Sequence, residues 1–233
     1  MEALPQLPPN YAAAIELIDA AHEADPRPAP GPAIFPVPYE LHYARKMTRW
    51  LALREPEASP ALQVACRAQH FRRWQLPRSS YPQTRAGYLT WRAKQKSLAA
   101  AELTTLLSTS PQIQPPIPPD DIARIAALVR KEGLVLSTTA TAAAVGKESS
   151  GEPTKTKESD EETQALEDVA CLVFLDDQFD EFESRSEISE DKVVGILKKT
   201  WGKMSGKGRQ LALGMELSER ATGLIGKVLE GEV

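Results

Sequence analysis

Residues 66–92 read CRAQHFRRWQLPRSSYPQTRAGYLTWR. His70 lies here among Arg67, Arg72, Arg73, Arg78 and Arg85, Lys94 and Lys96 follow closely, and no acid interrupts the stretch. A dense cationic run repels itself and stays solvated unless something negative sits against it. Yet Phe71, Trp74, Leu76, Tyr81, Tyr88, Leu89 and Trp91 are interleaved with the charges and call for burial. A segment that must fold while carrying both is expected to fold around an anion site. The competing reading is a helix with an ordinary basic face.

Working outward, the pattern is helical on both sides. Ser59-Pro60 is an N-cap followed by proline at the first helical position, which predicts a helix from Pro60 to about Gln75, before Pro77. Arg78 to Pro82 reads as a loop, and Gln83 or Thr84 starts a long helix to about Leu107. Upstream, Leu41, Ala44, Met47, Thr48 and Leu51 mark one side of a helix over Tyr39 to Arg54. The prolines of Asp25 to Pro38 predict an extended connector, preceded by a helix over Tyr11 to Glu23 with Asn10 as its N-cap.

Downstream, Pro119, Asp120 and Asp121 open a helix to about Glu132, closed by Gly133. Leu134 to Glu161 turns to Thr, Ala, Ser, Gly, Lys and Glu, has little to bury, and reads as a disordered insertion. Glu162 to about Glu183 is the most apolar helix of the C-terminal half. Helices over Ser189 to Lys203, Lys207 to Met215 and Ser218 to Leu229 follow. No stretch reads convincingly as a strand. The expected fold is all-α, a single multi-helix domain with an HD-like arrangement. Its parts are an N-terminal helix and connector (1–38), a basic half (39–133), the insertion (134–161) and a C-terminal helical half (162–233).

The chain has 233 residues and a formal net charge of −4, enough length for a real core and too little positive charge overall for a general nucleic-acid binder. The charge is unevenly placed: residues 39–98 are rich in Arg and Lys, whereas residues 151–191 are strongly acidic. Such halves are expected to dock on one another, or to form a positive cleft on an acidic body. Cys66 and Cys171 each lie among apolar residues and read as buried free thiols of a reducing compartment. No apolar run reaches transmembrane length and the N-terminus lacks the basic start of a signal peptide, so a cytoplasmic protein without a membrane partner is expected.

Ionisable residues on apolar helix stripes suggest chemistry. His70 shares its predicted face with Leu62, Cys66 and Trp74; Asp168 lies in a stripe with Leu172, Leu175 and Phe179; Glu167 lies with Cys171 and Phe174. Burying a carboxylate costs several kcal/mol unless a cation or metal compensates it. His42, His70 and Asp168 could therefore ligate one divalent metal (zinc, manganese, iron or nickel), with Glu167 as a ligand or catalytic base. Beside it, Arg73, Arg78 and Arg85, with Ser79 and Ser80, would hold phosphoryl oxygens. The bland alternatives are a satisfied core histidine at His70 and a structural ion pair between Asp168 and an arginine. His22 reads as a surface residue. No glycine-rich phosphate loop or nucleophile-elbow motif is present.

The stretches Cys66–Arg92, LEDVACLVFL at 166–175 and ILKKTWGKMS at 196–205 resemble an uncharacterised family of bacteria and fungi, domain of unknown function family 4202. The resemblance runs along nearly the whole chain except 134–161. A weaker analogy links the His, His, acid order to HD-domain metal-dependent phosphohydrolases. There an aspartate directly follows the second histidine, where this chain has Phe71, and Leu98 stands where the family carries a histidine. The analogy implies a metal-dependent phosphohydrolase acting on a phosphorylated small molecule or nucleotide. The alternative is a non-enzymatic protein that binds RNA, such as tRNA, or another anion in the basic groove.

Overall fold

In the computed structural model, the structure describes residues 3–30, 36–134, 160–179 and 189–230. The elements are α1 (Pro9–Glu23), α2 (Tyr39–Arg54), α3 (Pro60–Arg67), α4 (Arg85–Thr109), α5 (Pro119–Arg130), α6 (Glu161–Val173), α7 (Glu190–Trp201), α8 (Gly206–Leu213) and α9 (Glu219–Glu230). Among the described residues there is no strand, only an isolated antiparallel bridge between Pro28 and Pro38. The fold is all-α, as the helical periodicities require. The expected insertion falls almost wholly on 135–159, outside the described residues.

Helix α2 is the hub. It packs against α1, α3, α6 and α8, while α4 and α5 pair and α5 also covers α3. Met47 and Leu51 of α2, Leu62 of α3, Leu103 of α4, Leu128 of α5 and Leu166 and Leu172 of α6 are fully enclosed at the centre. Helix starts follow the expected chemistry. Ser59 accepts the Leu62 N–H (3.1 Å), and Thr84 accepts that of Gly87 (3.1 Å). Gly87 is required where it stands, because a Cβ there would sit 2.2 Å from the Pro82 carbonyl oxygen. Helix α1 starts two residues before the expected point: Pro9 opens it, and Asn10 is buried inside it rather than capping it. Proline at the first position is already set for helix entry and needs no side-chain cap.

Two further sequence expectations are corrected. The α3 helix stops at Arg67 instead of running to Gln75. His70 (φ 64°) and Arg72 (φ 50°) take left-handed backbone, and a short 3-10 turn over Arg73–Gln75 follows. The break is imposed from outside the segment. His22 Nε2 bonds the Arg67 carbonyl (3.0 Å), and Glu40 accepts the Trp74 N–H (2.9 Å). His70 therefore does not share a helical face with Leu62 and Trp74. The second correction is His22 itself, which is fully enclosed, with Nδ1 3.4 Å from Glu40. Its polar neighbours in sequence gave a surface reading because the partners that satisfy it lie on other helices.

The described part of the acidic stretch docks on the basic half. Helix α6 widens into a π turn over Phe174–Gln178, which carries Asp176 and Asp177 against α2. There Asp176 accepts from Lys46 (2.9 Å) and from the Trp50 indole (3.0 Å), and Asp177 meets His42 (2.5 Å). Cys66 and Cys171 are both buried and free, and burial pushes each thiol up to about 12.

Candidate anion-binding site

A cleft of about 1040 Å³ opens between the segment after α3, the first half of α4, the end of α5, α6 and the C-terminal end of α7. Its walls carry Arg73, Arg78, Arg92 and Lys96 on one side of the sequence, and Lys131, Lys199 and Lys203 on the other. Glu167 is the only carboxylate among these lining residues.

Each charge has a local explanation. Helix α6 turns its adjacent acids to different faces: Glu167, Ala170, Cys171 and Phe174 look into the cleft, while Asp168 looks into the core. Glu167 pairs with Lys131 and lies 3.6 Å from Lys203. Burial alone would raise its carboxyl, but Lys131, Lys203 and Lys96 together hold it at about 2. It is therefore ionised throughout the physiological range and poorly matched to the role of general base. Its stabilising contribution is complete above the ordinary value of 4.5 and is lost as pH falls from there toward 2. Glu167→Gln is expected to lower stability at neutral pH by about 1–2 kcal/mol and to remove part of that acid slope. Urea midpoints measured across this range check it, and an unaltered slope would refute the assignment.

His70 is also in the wall. Its ring stacks on Tyr43 with centroids 3.9 Å apart and 14° between planes. Burial first, then Arg73, Arg92 and Lys131, hold its pKa well below the usual range, so the ring is neutral. Arg73 can only donate, so His70 Nε2 accepts from it. Lys96 is pushed down to about 8 by burial, then by Lys131 and Arg92. Among the described residues Arg92, Lys96 and Lys199 make no direct salt bridge to a carboxylate, and Lys96 feels Glu167 only at longer range.

The aromatic residues of the basic stretch act as a rack for the arginines. The Arg73 guanidinium sits 5.0 Å from the Trp91 ring centre, Arg78 lies 6.0 Å from both Trp91 and Tyr88, and Arg92 lies 5.9 Å from Tyr88. Trp91 is fixed in turn by its indole N–H to the Leu76 carbonyl (2.9 Å). Arg78 spends donors on its own loop, to the carbonyls of Tyr81 (2.9 Å) and Pro82 (2.7 Å).

Backbone cost concentrates here too. Among the described residues, the non-glycine positions with positive φ are His70, Arg72 and Lys131, and both His70 and Lys131 line the cleft. Left-handed backbone costs a non-glycine residue roughly 1–2 kcal/mol, and such positions cluster at functional sites.

The residues singled out from sequence divide accordingly. Arg73, Arg78, His70 and Glu167 meet in the cleft. Arg85, Ser79 and Ser80 are exposed and do not line it; the Ser80 hydroxyl bonds back to the Pro77 carbonyl (2.8 Å). His42 is engaged by Asp177 on the α2–α6 seam. Asp168 is sealed in the core, accepting from Arg54 Nε (2.6 Å), the Ser205 N–H (2.8 Å) and hydroxyl (2.5 Å), and Gln164 (3.0 Å). His42, His70 and Asp168 are thus held in separate sets of contacts. No group of three or more His, Cys, Asp or Glu among the described residues is placed to hold a metal. Asp168 makes the structural ion pair instead, and the helix break at Arg67 takes His70 off the face that suggested a ligand.

Sequence reasoning did not single out Lys131, Lys199 or Lys203. Each lies at or just beyond a helix end, where a cation is ordinary. No helix of the described residues is long and apolar enough to cross a membrane. No curated protein and no solved structure matches the chain. The cleft is walled largely by Cys66–Arg92, Leu166–Leu175 and Ile196–Ser205, the stretches that carry the family resemblance. A family model described as a domain of unknown function, DUF4202, matches residues 12–225, and the chain belongs to that family.

Proposed function

We propose that this protein binds a phosphate-bearing small molecule in the basic cleft. The observation that carries this reading is the set Arg92, Lys96 and Lys199, cations in no direct salt bridge among the described residues, facing a cavity whose lining holds one acid. Guanidinium and ammonium groups brought together and left unpaired are the usual recognition set for phosphoryl oxygens. The volume supports a small ligand, since small-molecule clefts span roughly 300–1,000 Å³. Hydrolysis by a metal-bound hydroxide would draw on His42, His70 and Asp168 together, and their separate contacts give that step no support.

Titration of the full chain with inorganic pyrophosphate, followed by calorimetry, tests the reading. Binding is expected at low salt, weakening as salt is added, and falling by about tenfold or more in Arg92→Ala/Lys199→Ala, as loss of charge-assisted contacts predicts. Absence of binding at millimolar pyrophosphate and low salt would overturn it.

A further inference from the structure

Resting on that reading, we infer that the ligand carries a chain of several phosphoryl groups and is recognised through that chain, with little reading of any ring attached to it. Cations face the cleft from two walls that the fold builds independently. Arg73, Arg92 and Lys96 come from the segment after α3 and from α4; Lys131, Lys199 and Lys203 come from the ends of α5 and α7.

Glu167 already answers Lys131 and Lys203 in part. What it leaves still exceeds the two charges of a single phosphate dianion, which one wall would satisfy alone. Charges of both walls act on one another: Lys96 is pushed down by burial first, then by Lys131 and Arg92, with Glu167 opposing and Lys203 adding. A linear oligophosphate has the charge density and reach to touch both walls at once.

The rings give the second half of the inference. A base-stacking platform needs an open aromatic face. Trp91 and Tyr88 already carry guanidinium groups, Tyr43 carries His70, Phe71 is buried under Arg72, and Phe174 packs against Phe179. A nucleobase would have to displace one of these. Trp91 and Tyr88 position the arginines, and the site is indifferent to the base.

Calorimetry at fixed ionic strength with inorganic phosphate, pyrophosphate, tripolyphosphate, ATP, GTP and a short single-stranded RNA distinguishes the outcomes. Affinity is expected to rise about tenfold with each added phosphoryl group, and ATP and GTP are expected to agree within about threefold. Lys199→Ala is expected to weaken tripolyphosphate far more than phosphate. Equal affinity for phosphate and tripolyphosphate would overturn this inference while leaving anion binding intact. A preference between ATP and GTP above about tenfold would overturn the indifference to the base, since that ratio requires a specific contact. Tighter binding of the RNA than of tripolyphosphate would replace the small ligand with a nucleic-acid strand. If none of the probes binds, this inference and the proposed function fall together.

Discussion

Asp168→Ala is expected to cost about 3–5 kcal/mol of folding stability, the range for removing one partner of a buried ion pair. Asp168 is fully enclosed and Arg54 is 8 % exposed. The carboxylate gathers α2 through Arg54, its own helix through Gln164, and the entry to α8 through the Ser205 N–H and hydroxyl. Alanine leaves the Arg54 guanidinium in the core with Glu55 as its remaining acid (3.1 Å), and strands the Ser205 N–H. An uncompensated buried charge is far more costly than the pair is valuable. The fit around the carboxylate is tight, since a Cβ on Gly208 would come within 2.6 Å of the Asp168 Cγ. Asp168→Asn keeps the shape and one acceptor and is expected to lose less, about 1–2 kcal/mol. Urea unfolding measures both. A loss below about 1 kcal/mol in the alanine variant would show that Arg54 finds other partners. The folded fraction should bind pyrophosphate like the parent protein, because Asp168 faces away from the cleft.

The α6 stripes were legible from sequence because a helix repeats regularly. Glu167 with Cys171 and Phe174, and Asp168 with Leu172, Leu175 and Phe179, do separate into a cleft face and a core face. The reading of adjacent acids in an apolar helix as needing compensation also holds. Arg54 and Lys131 supply that compensation. The course of the chain after Arg67 was not legible. ACRAQHFRRW contains neither glycine nor proline, so local propensity runs on through it. The helix ends because His22 and Glu40, distant in sequence, take the backbone groups on either side of the break. The cleft's second wall was hidden for a similar reason. Lys131, Lys199 and Lys203 look like ordinary cations near helix ends until the fold brings all three into the cleft wall, two of them beside Glu167.

Lys96→Met is expected to make the protein more stable and less able to bind. Burial, then Lys131 and Arg92, lower the Lys96 ammonium from its ordinary 10.5 to about 8. The folded state therefore disfavours the charged form that the unfolded chain carries freely. The sign follows from proton linkage: below about pH 8 the penalty is fully present, and it is relieved as pH rises toward 10.5. Methionine has similar length and no charge, so it removes the penalty while keeping the packing of the stem. After discounting for solvent screening, the gain at pH 7 is about 1 kcal/mol, and it should fade by about pH 10. The same change removes a cation from the proposed phosphate site, with an expected loss of about tenfold or more in tripolyphosphate affinity. Opposite movement of stability and binding is the signature of a group held against its own preference for the sake of a ligand. Urea unfolding at both pH values, together with calorimetric titration, reads the two effects separately. A variant less stable at pH 7 would mean that Lys96 is a structural cation, and unchanged affinity would place the phosphate chain elsewhere in the cleft.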